Sequence, residues 1–326
     1  ASHLPDGALV ILRSTVPVGT TSKVVKPVLK KSKKNFLLAM CPERTAEGKS
    51  LEELIELPQI IGGVDEKSTQ KATEFFKKIT PTTIEVSSAE EAEMVKLVNN
   101  AYRDLNFAFA NEIALISEKI GLDAVKLIKN SNLGYKRSNV PVPGFVGGAC
   151  LEKDPHILIE SSKKLGFEPL IIKHARALNE SLVKHVAKRI AKKMANAKKD
   201  KKTAKIFVMG FSFKGQPENS DTRGSLTIEL IKLLKKEGFT KIFGHDFVVA
   251  PKEIEALGAI PCSVEEGFEK TDCVIFANNH QKYYFLPIHS LIEKLKKPAV
   301  FFDCWHIFDP REIKSADLIY GGIGID

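Results

Sequence analysis

The chain has 326 residues, 43% of them apolar and 27% charged, the balance of a folded protein of two or three domains. No apolar run approaches the ~18 residues needed to cross a bilayer, which excludes a membrane-spanning chain. Basic residues outnumber acidic ones 49 to 40, but the lysines of 30–34, 192–202, 232–236 and 294–297 carry no interleaved aromatics; this points to solvated surface and away from a nucleic-acid partner.

In chain order, a first block alternates strand and helix up to about residue 86. Strands are expected at 9–12, 36–40, 59–63 and 82–86, with helices at 20–30 and 68–79. Short apolar runs alternating with amphipathic helices mean parallel βα units in layers. The chain opens Ala1-Ser2-His3 beside the first strand, with neither the charged nor the apolar region of a signal peptide. That start reads as a piece cut from a longer protein.

A helical block follows. Ser88-Ala89-Glu90-Glu91 is a capping-box start, and the helical period runs to Ile120, where Gly121 stops it. About 33 residues make about 50 Å of helix, a length that spans domains or dimerises. After a Gly/Pro loop at 140–148, helices are expected at about 155–165 and 169–194. The lysine-rich stretch 192–202, poor in large apolar residues, reads as a hinge. A second α/β block then begins, with strands at 205–209, 241–244, 273–277 and 300–303 and a helix at 225–235. The expected domains are 1–87, 88–197 and 198–326.

The loop Pro143-Gly144-Phe145-Val146-Gly147-Gly148-Ala149-Cys150 carries the sharpest signal. Its three glycines let a backbone approach a ligand, and Cys150 follows where a helix begins, with Lys153-Asp154 just beyond. A helix start and a nearby lysine both favour a thiolate, so Cys150 reads as a nucleophile. The other cysteines lack such surroundings, and an odd set of five without a C-x-x-C pair argues against disulfides and a zinc site. It also favours a reducing compartment.

Lys96 and Asn100 lie four apart on one helix face, suited to stabilise an oxyanion or move a proton; taken alone, a solvated face explains them as well. Ser14-Thr15-Val16-Pro17 and Pro42-Glu43-Arg44 each follow a strand, at the carboxyl end where open α/β sheets bind ligands. Turn and cap are the plainer alternatives there. Gly210, Lys214 and Asp221-Thr222-Arg223-Gly224-Ser225 lead into a helix and make a diphosphate cradle. No G-x-G-x-x-G follows any strand.

These motifs together resemble the UDP-glucose/GDP-mannose dehydrogenase family over essentially the whole chain. The matching runs, in order, are Ser14 to Thr20; Pro42-Glu43-Arg44 with Glu47-Gly48; Glu93-Met94-Val95-Lys96 with Asn100; Asn111-Glu112; Gly147-Gly148-Ala149-Cys150 with Lys153-Asp154; Gly210 with Phe213-Lys214; and Asp221 to Ser225. Arg44 resembles the UDP-N-acetylmannosamine branch. The resemblance implies two Rossmann-like parallel-sheet domains joined by a helical central domain, the first of them incomplete because family members carry a further N-terminal stretch with the glycine-rich NAD turn.

It also implies a cytoplasmic, NAD-dependent enzyme that oxidises the C6 alcohol of a UDP-sugar to the acid, through a thiohemiacetal and a thioester on Cys150, for polysaccharide precursors. Lys96 and Asn100 would stabilise oxyanions. Asp154, helped by Thr15 and Glu43, would position water. Thr15, Glu43 and Lys153 would lie on the NAD side. Arg137, Phe145, Gly147, Lys214 and Arg223 would meet the substrate along with Lys96 and Asn100. Arg137 matches the arginine that family dimers lend to the partner's site, and the long helix would hold the homodimer. Trp305, where many glucose enzymes have arginine, bears on the choice of sugar. Two other readings stand beside this one: a UDP-sugar-binding or dimerisation fragment lacking the NAD half-site, and a 6-phosphogluconate-like or hydroxyacid dehydrogenase, which Cys150 argues against.

Overall fold

A computed structural model describes residues 3–314 and 318–325. The chain divides into two compact units, one of residues 1–103 with 153–173, the other of 104–152 with 174–326.

In the first unit, β1 (Ala8–Leu12), β2 (Phe36–Met40), β3 (Gln59–Gly63) and β4 (Thr83–Glu85) form a sheet in that order. β1 pairs with β2, and β3 with β4, in parallel, as expected. β2 and β3 run antiparallel, a difference from the layered parallel reading. Its cause is the connection 41–58, which folds its own unexpected helix Ser50–Glu56 and returns the chain from the same end of the sheet. That end is where β1 also finishes, so the loop after β1 and the segment Pro42-Glu43-Arg44 come out together. Helix Glu66–Phe76 seats Ala72 and Phe76 on Ala39, Cys41 and Ile61. Asp65 caps it by accepting from the Ser68 amide.

The long helix is Ala89–Ile120, and Gly121 ends it in the left-handed region at φ +81°. Half of the expected capping box forms: the Glu91 amide donates to Ser88 Oγ at 3.1 Å, while the Glu91 carboxylate turns to the amide and hydroxyl of Ser87. Glu93, Lys96, Asn100, Asp104 and Asn111 are all buried. Steps of three, four, four and seven residues put them on one stripe of the helix.

In the second unit, β5 (Lys205–Met209), β6 (Lys241–His245), β7 (Ile260–Pro261), β8 (Cys273–Phe276), β9 (Ala299–Asp303) and β10 (Leu318–Gly322) form a parallel sheet in the order β10-β9-β8-β5-β6-β7. Numbered from β5, this is the doubly wound order 3-2-1-4-5-6, whose switch point lies between β5 and β8. One face packs Ile206, Val208 and Ile275 against Val186, Ile190 and Met194 of helix Leu170–Asn196. The other face holds Phe207, Met209, Phe276, Phe301 and Tyr283.

The expected hinge at 192–202 is not loose. Met194 and Ala197 are buried, Lys199 pairs with the buried Asp272 at 2.8 Å, and Asp200 accepts from the amides of Lys202 and Thr203. Met194, Ala197 and the Lys199–Asp272 pair fix a segment whose Lys192, Lys198, Lys201 and Lys202 are exposed.

Phe207, fully buried with its ring 5.7 Å from that of Phe268, gives the first test. Phe207→Ala is expected to lower unfolding free energy by about 3–5 kcal/mol, read as a lower urea midpoint at unchanged slope.

Candidate active site

In the first unit the site is built on the long helix. Glu93, 1% exposed, accepts from the amides of Gly19 and Thr21 and from the Thr21 hydroxyl. It thereby fixes the loop after β1 that carries Thr15, itself half-buried. Further along the stripe, the Asn100 amide donates to Asp154 Oδ2 at 2.6 Å, and Lys153 Nζ meets Asp154 Oδ1 at 2.5 Å. Asp154 is fully buried at the start of helix Asp154–Lys163, where the helix dipole suits a carboxylate. Lys96 and Asn100 are buried, so the solvated-face explanation of that pair does not hold. Glu43 lies against Arg13, and its other oxygen accepts from the Thr45 amide. Burial pushes the Glu43 carboxyl up but is outweighed by the Thr45 amide and hydroxyl and by Arg13, which hold it below the usual carboxylate range.

In the second unit, Cys150 is exposed in the short helix Gly148–Leu151. Cys41, Cys273 and Cys304 are buried and Cys262 partly so; burial raises the thiol of Cys41 to about 12 and that of Cys262 to about 11. The loop before Cys150 is tied down by side chains whose part the sequence reading did not assign. Asn111 donates to the Gly144 carbonyl at 3.1 Å and accepts from its amide at 2.9 Å. Arg176, 2% exposed, donates to the carbonyls of Leu151 at 2.8 Å and Val146 at 3.2 Å and to Asp104 Oδ1 at 2.8 Å. The available signal was periodicity: Arg176 and Asn179 share the buried stripe of their helix with Val183 and Val186.

The loop glycines approach protein closely. A Cβ on Gly147 would stand 2.2 Å from the Gly224 carbonyl oxygen, and one on Gly148 2.4 Å from the Phe213 ring. The Gly148 amide donates to the Gly224 carbonyl at 2.9 Å. Phe145 is buried. The other face of this loop, with Arg176, Ser225 and Glu180, lines a cavity of about 440 Å³.

The loops after β5 and β8 meet at the switch point. Asp246 accepts from the amides of Phe211 and Ser212, Asn278 donates to Ser212, and the Gly215 amide donates to Asn279. Lys214 Nζ stands 5.3 Å from the centre of the Phe213 ring. Arg223 is exposed and doubly bonded to Asp221. Trp305 donates from Nε1 to the Ala277 carbonyl at 3.0 Å and lies flush on Gly144, where a Cβ would meet its ring at 3.0 Å. Arg137 is exposed and stacks on Tyr135 at 4.8 Å. Among the described residues no group of His, Cys, Asp and Glu is arranged to hold a metal ion, and no helix is long and apolar enough to cross a membrane.

Residues 1–80 match the NAD binding domain of the UDP-glucose/GDP-mannose dehydrogenase family, 90–181 its central domain and 207–310 its UDP binding domain. A match to the NAD binding domain does not favour a fragment without that half. The UDP-N-acetyl-D-mannosamine dehydrogenase of Methanocaldococcus jannaschii is 36% identical over 286 residues, 86% of this chain and 61% of that protein. The Pyrococcus horikoshii protein of the same name is 30% identical over 332 residues, 99% of this chain and 74% of that protein. The solved UDP-D-ManNAc dehydrogenase of P. horikoshii superposes with a TM-score of 0.87 at 29% identity, covering 98% of this chain and 73% of that one.

Asp303, at the end of β9, supplies a pH test. It is fully buried and accepts from the amides of Trp305, Ile307 and Phe308. Burial pushes its carboxyl up to about 6 from 3.8, despite those amides. The folded state therefore binds the proton more tightly than the unfolded chain. The stability this gives is complete below about pH 4 and is lost as pH rises through about 6. Relative to Asp303→Asn, the wild type is expected to be about 2 kcal/mol more favoured at pH 4 than at pH 7, measured by denaturant titration at both.

Proposed function

The chain belongs to the UDP-glucose/GDP-mannose dehydrogenase family, and on that premise we propose that it carries the residues of an NAD-dependent UDP-sugar 6-dehydrogenase, with UDP-N-acetylmannosamine as substrate. The observation that carries the reading is Cys150: an exposed thiol on a backbone held from beneath, four residues before the buried Asp154. Support for this sugar is Arg44 after Pro42-Glu43 and the names of the similar proteins. The product would be a uronate for cell-surface polysaccharide, made in the cytoplasm.

NAD, when bound, takes the hydride at each of two oxidations. Thr15, Glu43 and Lys153 offer a hydroxyl, a carboxylate and an ammonium suited to its amide and ribose groups, two of them at strand ends. No glycine-rich turn among the described residues suits its pyrophosphate, so only that half of its binding falls to these side chains.

The chain's own chemistry centres on Cys150. Its thiolate adds to the C6 aldehyde, giving a thiohemiacetal that is oxidised to a thioester; the covalent bond keeps the aldehyde bound between the two oxidations. Lys96 and Asn100 stabilise the oxyanions, and Lys96 relays the proton of the C6 hydroxyl. Asp154, with Thr15 and Glu43 assisting, orients the water that hydrolyses the thioester and frees the thiolate. Lys214 and Arg223 face the diphosphate, and Phe145, Gly147 and Arg137 the sugar. The functional segments are 1–87 for NAD, 88–197 for the helical centre and 198–326 for UDP.

A second copy of this chain is the partner. Met94, Val98, Tyr102, Phe109 and Ile116 are exposed apolar residues on the long helix, and steps of four, four, seven and seven make them one continuous seam. Tyr102→Glu with Phe109→Glu is expected to yield monomers in sedimentation velocity, where the wild type sediments as a dimer.

The activity test supplies NAD with UDP-N-acetylmannosamine, UDP-N-acetylglucosamine or UDP-glucose, one at a time. About two NADH per sugar consumed is expected with the first, and Cys150→Ser is expected to stop acid formation while UDP still binds. Acid production by Cys150→Ser at the wild-type rate would remove the thiol from the mechanism.

A further inference from the structure

Four buried polar side chains in the second unit have no part in the chemistry described above, yet they form one unbroken path to the Cys150 loop. Asn111 holds both the amide and the carbonyl of Gly144. It also donates to Asn179 Oδ1 at 2.9 Å. Asn179 donates to the carbonyl and to the carboxylate of Asp104, each at 2.9 Å. That carboxylate accepts from Arg176 at 2.8 Å, and Arg176 ends the path on the carbonyls of Val146 and Leu151. Cys150 lies between those two gripped carbonyls, one residue from the second.

What lies behind the loop decides how much these bonds matter. Val146 and Gly147 line the cavity of about 440 Å³, so on that side the loop is only partly packed. Close packing fixes a backbone wherever there is contact; beside a hollow, hydrogen bonds carry more of that task. A planar guanidinium reaches two carbonyls and a carboxylate at once, which lysine, with a single nitrogen, does not reproduce.

We propose that Arg176, charge-balanced by Asp104, is a positioning residue for Cys150: it holds the thiol in one orientation by spanning the carbonyls on either side of it. The proposal deepens the reading of Cys150 as the nucleophile and rests on it for its catalytic consequence, but not for its structural one.

The test uses a trifluoromethyl ketone tag on Cys150, in a Cys262→Ser background, read by ¹⁹F NMR. The wild type is expected to show one sharp resonance. Asp104→Asn with Arg176→Gln removes the charge pair together, which avoids leaving a lone buried charge; it is expected to melt near the wild-type temperature yet give several or broadened resonances. If that variant does not fold, Arg176→Lys, which retains the charge, is expected to give the same split signal. A single unshifted resonance in a folded variant overturns the proposal. Untagged protein then separates the two readings. A fall in kcat on the order of 10-fold to 100-fold with KM for the UDP-sugar unchanged supports both. A disordered tag with unchanged kcat leaves the positioning standing and overturns Cys150 as the nucleophile.

Discussion

A carboxylate taken out of water must be met by donors or it will not stay ionised and buried. On the long helix this demand is made twice, answered once by a loop and once by a second helix. Glu93 draws in the amides of Gly19 and Thr21, and so shapes the turn after β1. Asp104 draws in Arg176 and Asn179, and through them the backbone around Cys150. The helix is therefore more than a spacer: its buried acids are fixed points from which irregular segments take their form. Asp154 shows the same logic from the other side, a buried acid on a helix start answered by Asn100 of the stripe.

The regular elements were largely legible in the sequence because their apolar periods are unambiguous. Runs such as Phe36–Met40 and Cys273–Phe276 are apolar without alternation and fall in sheets covered on both faces. The short elements were not legible. β7 has two residues and β10 ends in Gly321-Gly322, so neither offers a period to count. Helix Ser50–Glu56 buries no residue, and its seven residues are too few for Leu51, Leu54 and Ile55 to establish a period. The segment 192–202 was misjudged for the reverse reason: its lysine-rich composition hid the buried Met194 and Ala197.

The candidate site divides the same way. Cys150, Asn100 and Asp154 could be named from residue type and spacing, and the structure gives the last two a direct bond. The loop glycines also make room for protein, since Phe213, Gly224 and Trp305 occupy the space where a Cβ would lie on Gly148, Gly147 and Gly144. Arg176 was passed over because an arginine in a lysine-rich helix looks like solvated charge until its register is set against its neighbours. Asp246 and Asp303 were equally silent. Asp303 ends β9 and gathers the amides of the turn that follows, while Asp246, just past β6, gathers those of its own turn and of the loop after β5, a role that depends on strand order, which a single sequence does not reveal.

The contact between Gly147 and Gly224 has a consequence for how such a protein can change over time. Two main chains touch there with no side chain between them, and a methyl group on Gly147 would stand 2.2 Å from the opposing oxygen. Gly224 is constrained as well, by its left-handed backbone at φ +65° and by the Gly148 backbone 3.1 Å from where its Cβ would lie. A side chain at either position forces backbone to move, and that backbone leads into the Cys150 turn. Drift is thus frozen at the seam and free at its margins, so any adaptation to a new sugar must enter through residues with side chains to exchange, such as Trp305 or Phe145.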